Sequence, residues 1–327
     1  MNKIKSMSPM IFYLLMIPIF FFNSPIIMWM LYEFISMMFM FQLMNFKIKF
    51  ATIYYIIQTL SSNFILMLLL FINSLSTYNY MLNTFMLFFL MVKLGLPPFQ
   101  KWFVSMMKNL SWNLCFILST LMKLIPLFMM TMFIFNTKMM LLIFSMSSIF
   151  LMLFMYKQIN LKMLFSYSSL NHNSWILLSL FNSNNWIMYL LMYIMMMYMI
   201  CKTFMYMNIN SLFSLTFMPL NLNLWIIIIS MIFSMSGMPP FSSFILKWVI
   251  LNNLNMINFS INMIITMMLI LSSIFALINY LLIIVPIMYR NKPTLSSKLN
   301  YNKNMNMKKM NKIIIYTLIM NFIILST

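Results

Sequence analysis

The sequence has few charged residues and few of the residues that build enzymatic sites. Only 6% of its 327 residues are charged, and Asp and Glu together number one. It has two glycines, one histidine and two cysteines, Cys115 and Cys201. The chain therefore lacks a glycine-rich loop for phosphate groups and a cysteine set for a metal or iron–sulfur cluster. We expect both cysteines to be small buried hydrophobic residues, and we predict no cofactor or metal in this chain.

Hydrophobic residues take the place of the missing charge. They form 64% of the chain, against about 45–50% in ordinary globular proteins. A soluble domain of this length does not bury so much apolar surface. Because a chain that crosses a bilayer must satisfy its own backbone hydrogen bonds, the composition predicts an all-α, polytopic transmembrane helix bundle.

The choice of residues also indicates the origin of the gene. The chain has 47 Met, 34 Phe and 16 Tyr, whereas Ala occurs twice, Arg once and Asp never. The favoured residues have codons rich in A and T, and the rare ones have codons rich in G and C. We therefore expect a gene in an AT-rich animal mitochondrial genome that reads ATA as methionine. The first residues lack the features of an import presequence, as expected for a chain made inside the organelle.

Apolar segments long enough for a bilayer core of about 30 Å recur along the chain. We predict eleven spans within a single transmembrane domain over residues 1–327. The predicted spans are 9–22, 25–45, 50–73, 80–107, 114–135, 139–156, 163–181, 186–206, 223–254, 258–289 and 312–326.

The basic residues between the spans test this count. If successive helices alternate in direction, one side receives only Lys138. The other side receives Lys3, Lys5, Lys47, Lys49, Lys101, Lys108, Lys157, Lys162, Arg290, Lys292, Lys298, Lys303, Lys308, Lys309 and Lys312. The positive-inside rule then places the N-terminus on the matrix side. The formal charge of +19 is thus explained by topology and lipid phosphates, and nucleic acid is not an expected partner.

Four lysines and one acid remain inside the apolar spans. A lysine or acid at the bilayer centre costs about 2.5–3.5 kcal/mol, so such a residue needs a partner or a function. Lys202 lies close to the end of its span, where its ammonium can reach the headgroups, and we assign it no role. The other four are candidate site residues: Glu33, Lys93, Lys123 and Lys247.

Glu33 is the only acidic residue of the chain, and a carboxylate in hydrocarbon needs a partner to stay charged. A lysine on a neighbouring helix is the natural partner. At 4 Å and an effective dielectric of 20 the attraction is about 4 kcal/mol. A permanent pair would only hold two helices together, whereas a pair that breaks could act as a switch.

Both glycines precede a Pro-Pro-Phe sequence, in KLGLPPF and SGMPPF. Proline lacks an N–H and clashes with the carbonyl four residues earlier, so each proline pair releases two carbonyls from the helix. Interrupted helices in corresponding positions of two halves are typical of transporter-like inverted repeats with a site near the midplane. The alternative is a pair of unrelated proline kinks. The predicted break residues are Gly95, Pro97, Pro98, Gly237, Pro239 and Pro240.

The polar segment 164–175, LFSYSSLNHNSW, contains the only histidine, His172. A buried histidine is either a hydrogen-bonded structural residue or, among hydroxyls and amides that hold water, a proton carrier. Lys123 combines charge with an opened helix in a similar way, because it precedes Pro126 by three residues.

Five segments, in order, carry a resemblance: WMLYEF, KLGLPPFQKWF, LMKLIPL, LKMLFSYSSLNHNSW and SGMPPFSSFILKW. Over about residues 25–290 the chain resembles the antiporter-like membrane subunits of respiratory complex I. The resemblance implies a subunit that translocates protons while NADH reduces ubiquinone. It also implies that FMN, iron–sulfur clusters and ubiquinone lie in other subunits. The implied partners are other complex I membrane subunits and the lipids of the mitochondrial inner membrane.

The same resemblance implies a role for each candidate residue. Glu33 and Lys93 would form an intramembrane ion pair. Lys123 would be the central proton-carrying lysine, and Lys247 the lysine of the second broken helix. His172 would carry protons between these two lysines.

Two other functions stay open on the sequence. Cation/proton antiporters outside any redox complex share this fold, and a purely structural membrane subunit could use the same charges to fix helix packing. Mitochondrial codon usage favours complex I, because animal mitochondrial genomes keep few genes, nearly all for respiration and translation. The sequence departs from the family at Ser174, where glycine is usual.

Overall fold

A computed structural model describes residues 24–75, 80–133, 138–182, 186–217, 222–239, 241–255 and 259–290. The first and last predicted spans, 9–22 and 312–326, lie outside these residues, as does Pro240. Those predictions stay predictions, and so does the matrix-side position of the N-terminus.

Within the described residues the fold is all-α, as the sequence predicts. An isolated bridge between Asn160 and Ser211 is the one pairing of strand type there. The helices are α1 (Pro25–Met44), α2 (Ile48–Leu75), α3 (Tyr80–Leu94), α4 (Gln100–Asn109), α5 (Trp112–Ser119), α6 (Leu121–Phe133), α7 (Lys138–Met155), α8 (Leu161–Asn182), α9 (Trp186–Met207), α10 (Leu212–Phe217), α11 (Leu222–Ser236), α12 (Ser242–Asn255) and α13 (Phe259–Arg290).

Each predicted span between residues 25 and 289 coincides with one of these helices or with two in succession. In the described part of the chain, five segments are long and apolar enough to cross a membrane by themselves: Pro25–Met44, Ile48–Ile72, Trp112–Phe133, Trp186–Met207 and Asn262–Val285. Shorter apolar helices are Met81–Leu94, Met140–Met155 and Ile226–Ser236. Met81–Leu94 and Ile226–Ser236 are short because each ends directly before a glycine that is followed, two residues later, by two prolines.

The first interruption separates α3 from α4. Gly95 has a φ of +70°, in the left-handed region that favours glycine. The N–H groups of Gly95 and Leu96 donate to the carbonyls of Val92 and Met91, each at 3.1 Å, which is the usual glycine termination of a helix. The N–H of Phe99 then donates to the Leu96 carbonyl at 2.8 Å and closes a turn before α4.

The second interruption, between α11 and α12, shares part of this backbone pattern. Gly237 has a φ of +85°. The N–H groups of Gly237 and Met238 donate to the Phe233 carbonyl at 3.2 and 3.4 Å. The N–H of Phe241 donates to the Met238 carbonyl at 2.8 Å, as the N–H of Phe99 does to the Leu96 carbonyl. The two discontinuous helices predicted from the Pro-Pro-Phe sequences are therefore present.

The chain divides into two compact units, and α5 is shared between them. In the first unit, α1 packs on α2 and α6, and α3 packs on α2 and α6. Aromatic pairs join these helices. The rings of Phe39 and Tyr54 meet edge to face at 5.1 Å, and those of Phe64 and Phe89 stack at 4.7 Å.

In the second unit, α7 packs on α8 and α13, while α12 contacts α8, α9, α11 and α13. The Asn279 side chain on α13 donates to the Met152 carbonyl on α7 at 2.9 Å. Trp112, at the start of α5, stacks on Phe204 and donates its indole N–H to the Ile209 carbonyl at 3.0 Å. The prediction of one domain over residues 1–327 stays a prediction.

Helix α8 is polar, yet its whole middle is buried. Its hydroxyls achieve this by bonding within the helix: Ser166, Ser169 and Ser174 each donate to the carbonyl three residues earlier, at 2.6–2.7 Å. Such a bond removes the cost of an unsatisfied hydroxyl donor in a medium without water. A polar helix can therefore lie at membrane depth in this protein.

We expect Gly95→Ala to destabilise the protein. The left-handed backbone costs a residue with a side chain about 1–2 kcal/mol. The added Cβ would also lie 2.8 Å from Cβ of Phe103, and overpacking of this kind costs about 1–3 kcal/mol. The melting temperature of the purified protein in detergent measures the effect. Ser105→Ala, at an exposed position on α4, is the control, and equal melting temperatures for the two variants would contradict the prediction.

Candidate functional site

Glu33 and Lys93 form an ion pair between α1 and α3. The Lys93 Nζ lies 3.5 Å from the Glu33 Oε1. The Lys93 side chain is 1% exposed and that of Glu33 is 24% exposed. The Lys93 ammonium also lies 3.9 Å from the ring centroid of Tyr32, whose hydroxyl donates to Gln58 Oε1 on α2 at 2.7 Å. Three helices thus hold this lysine between a carboxylate and the face of an aromatic ring.

Lys123 lies in the first turn of α6 and is 3% exposed. Its ammonium is 4.6 Å from the ring centroid of Phe103 on α4. Pro126, three residues later, lies inside the same helix and cannot donate to the Met122 carbonyl. The predicted combination of a buried lysine and an opened helix is therefore present.

Phe103 also joins Lys123 to the first interruption. A Cβ placed on Gly95 would lie 2.8 Å from the Phe103 Cβ, so the phenylalanine occupies the space that a side chain at position 95 would need. The same ring carries the Lys123 ammonium on its face. A shift of the backbone at Gly95 would therefore move the ring next to Lys123.

His172 is buried in α8, 1% exposed. Its Nδ1 lies 3.0 Å from the hydroxyl of Tyr189 on α9, and its ring lies 5.5 Å from that of Tyr193. Ser174, where the family usually has glycine, is fully buried and bonds within α8 at 2.7 Å. The histidine thus has a hydrogen-bonding phenol on the neighbouring helix.

Lys247 lies in α12, directly after the second interruption, and is 4% exposed. Its Nζ donates to the Ser236 carbonyl at 3.0 Å and lies 5.5 Å from the ring centroid of Trp175 on α8. Pro240 stands four residues after Ser236, and because proline has no N–H this carbonyl lacks its usual helical donor. The released carbonyl is thus bonded by a lysine.

The structure places Glu33 and Lys93 in contact, with Lys123 in the same compact unit. His172 and Lys247 lie in the second unit. Lys202 is half-buried with its ammonium 5.6 Å from the Tyr198 ring. The roles that the resemblance implies for the five candidate residues are taken up as proposals below.

Sequence reasoning missed the aromatic partner of each buried lysine: Tyr32, Phe103 and Trp175. It also missed Tyr189, the partner of His172. Because 17% of the chain is aromatic, the sequence gives no signal that singles out these four rings. Their positions depend on which helix faces pack together.

The described residues contain no group of three or more His, Cys, Asp or Glu side chains that could hold a metal ion. The sequence has two cysteines, too few for an iron–sulfur cluster that takes four thiolates. The described residues instead contain buried ammonium groups, one carboxylate and one imidazole, distributed over two compact units that each include an interrupted helix. This defines a class: a polytopic membrane protein with ionisable side chains inside its helix bundle.

Residues 23–276 match the model of the family described as NADH:quinone oxidoreductase/Mrp antiporter, TM. The chain belongs to this transmembrane family. The resemblance seen in the sequence is thereby confirmed.

Three similar proteins give the match more detail. NADH-ubiquinone oxidoreductase chain 2 of Apis mellifera ligustica is 36% identical over 117 residues, which cover 33% of this chain and 34% of the bee protein. A chain of respiratory complex I from Thermus thermophilus, solved with bound aureothin, has a TM-score of 0.69 at 18% identity, covering 80% of this chain and 65% of that one. A chain of the membrane-bound sulfane sulfur reductase, an archaeal respiratory membrane complex, has a TM-score of 0.72 at 14% identity, covering 90% of this chain and 67% of that one.

The alignment with the bee protein thus spans about one third of its length, and the two solved chains are each longer than this one. The likeness to the solved chains shows a shared fold.

We expect Tyr189→Phe to lower the stability of the protein. Loss of the hydroxyl removes a buried hydrogen bond to His172, at a cost of about 1–3 kcal/mol. Thermal unfolding in detergent measures the change. Tyr198→Phe is a matched control, because it removes a hydroxyl from a tyrosine on the same helix that is 39% exposed. Equal shifts in the two variants would contradict a specific bond to His172.

Proposed function

We propose that this chain is a proton-translocating core membrane subunit of respiratory complex I, the counterpart of NADH-ubiquinone oxidoreductase chain 2. The observation that carries the proposal is the Glu33–Lys93 pair, which joins two helices directly before the first interruption. Family membership and the likeness to the bee protein support it. As part of this enzyme the chain would act without a redox centre of its own.

The ion pair has the geometry of a contact that can be made and broken. At 3.5 Å the two groups lie within ion-pair distance but at the limit of a hydrogen bond. For opposite charges at about 4 Å and a dielectric of 20, the attraction is about 4 kcal/mol. A conformational change that separated Glu33 from Lys93 would therefore alter the energy of a buried charge enough to move a proton.

The proton would then pass along the other buried groups. Lys123 is the central carrier in this proposal, and His172 and Lys247 continue the path. Each of the three has a neighbour that can orient it: the Phe103 ring, the Tyr189 hydroxyl and the Ser236 carbonyl. Hydroxyls and released carbonyls at membrane depth would hold the water that links them.

The proposal extends to partners and location. Other membrane subunits of the complex would cover parts of the exposed apolar surface, with lipid on the rest, and nucleic acid has no part. FMN, iron–sulfur clusters and ubiquinone would be bound by other subunits, because the donor set of this chain is too small for a cluster. The chain would lie in the mitochondrial inner membrane, encoded by the mitochondrial genome, with its N-terminus in the matrix.

A second candidate is a cation/proton antiporter subunit outside any redox complex. It is favoured by the family itself, which includes Mrp antiporters. A purely structural subunit is a third. The antiporter requires cation-dependent exchange without NADH oxidation, and the structural subunit requires that the buried charges be dispensable for proton movement.

The complex to which the chain belongs can be identified directly. We expect it to migrate with NADH dehydrogenase activity on blue-native electrophoresis of solubilised mitochondrial membranes. An activity stain followed by mass spectrometry of the stained band makes the measurement. If the chain migrates away from that band, with relatives but without NADH dehydrogenase activity, the antiporter is favoured instead.

We expect Lys123→Met to reduce the number of protons pumped per NADH oxidised severalfold in the assembled complex, because methionine keeps the length of the side chain but carries no proton. Proton uptake and NADH oxidation by the same vesicles give this ratio. Lys108→Met is the control, since Lys108 is an exposed lysine on α4. Normal pumping by the Lys123 variant would refute its central role and favour a structural subunit.

A further inference from the structure

The second interruption has a notch where Gly237 lacks a side chain. A Cβ placed there would lie 2.7 Å from Nζ of Lys247, 3.2 Å from its Cδ and 3.3 Å from its Cε. The end of the lysine side chain therefore occupies the volume that any residue other than glycine would fill. Gly237 is required both for the left-handed backbone, with a φ of +85°, and for this contact.

Two further groups close on the same ammonium. The Ser236 carbonyl accepts its hydrogen bond at 3.0 Å. Trp175, which is fully buried on α8, has its ring centroid 5.5 Å away, within the range in which an indole attracts a cation. Three groups thus surround the Lys247 ammonium: the Ser236 carbonyl at the end of α11, the notch at Gly237 and the Trp175 indole on α8.

At the first interruption, the notch of the left-handed glycine is occupied by a residue other than lysine. Its glycine also has a left-handed backbone, with a φ of +70° at Gly95. Yet its notch is filled by the Cβ of Phe103, an apolar group. The carbonyl three residues before each glycine is bonded by a side chain of the following helix in both cases, from Trp102 to Val92 and from Ser243 to Ser234. Of the two notches, only the one at Gly237 is thus filled by the end of a lysine side chain.

We propose that Trp175, the Ser236 carbonyl and Gly237 form a cation seat that fixes the position of the Lys247 ammonium. This inference rests on the proposed function, in which Lys247 carries protons. Trp175 and Gly237 are positioning residues, since they act through Lys247. Trp175 follows His172 by three residues on α8, so the seat also holds the ammonium against the helix that bears the histidine.

The indole is tested in the assembled complex with three variants. Trp175→Leu removes the aromatic face, and we expect a loss of roughly half or more of the protons pumped per NADH oxidised. Trp175→Phe keeps a ring and retains most of the pumping. Trp248→Leu removes a neighbouring indole that is 56% exposed, and leaves the ratio unchanged. Equal losses with Leu and Phe at position 175, or no loss with either, would overturn the role of the ring.

The notch is tested by melting temperature, which does not depend on whether the chain pumps protons. Gly237→Ala is compared in two backgrounds, with Lys247 present and with Lys247→Ala, where the notch is empty. Strain from the left-handed backbone is common to both, whereas the clash with the lysine exists in the first alone. We expect the fall in melting temperature to be roughly twofold larger or more when Lys247 is present.

Equal falls in the two backgrounds would overturn the seat and would leave the proposed function untouched. Conversely, absence of the chain from the band with NADH dehydrogenase activity would overturn the proposed function, and the melting experiment would still decide the seat.

Discussion

The structure depends on how a positive charge can be kept inside a helix bundle that has almost no negative charge to offset it. Three lysines, Lys93, Lys123 and Lys247, are buried among the described residues, and the entire chain has one carboxylate. Glu33 serves one of them. The Lys123 ammonium lies on the ring of Phe103, and the Lys247 ammonium bonds to the Ser236 carbonyl beside the Trp175 ring. In the proposed function, such partners would hold the cation in place and still allow its amine to lose a proton.

The interrupted helices provide hydrogen-bond acceptors for buried ammonium groups, since the side chains of the chain include one carboxylate. Proline pairs release carbonyls from the helical hydrogen bonds, and one of these carbonyls accepts the bond from Lys247. At the first interruption the equivalent space holds Phe103, whose ring lies under Lys123. The same backbone is thus used in two ways. In one case it contacts the ammonium directly, and in the other it contacts the ring that supports the ammonium.

Much of this arrangement could be predicted from the sequence, because the constraints are local. Pro-Pro-Phe after a glycine dictates a helix break wherever it occurs, and the break residues follow from proline chemistry alone. A single acid in mid-span has to find a lysine, although the residues leave several lysines open and only the family resemblance selects Lys93. The aromatic partners could not be predicted, because a ring near Lys247 comes from α8, more than seventy residues away in the sequence. Only the packing of α12 on α8 brings the two together.

Left-handed backbone positions differ in how much space they leave for a side chain. A third such position, Asn208, with a φ of 54°, follows the end of α9 and has an exposed side chain. Asparagine adopts this conformation more readily than most residues with a side chain. At Gly95 and Gly237 a Cβ would collide with Phe103 or with Lys247. Among the described residues, these two left-handed positions therefore have no space for a side chain.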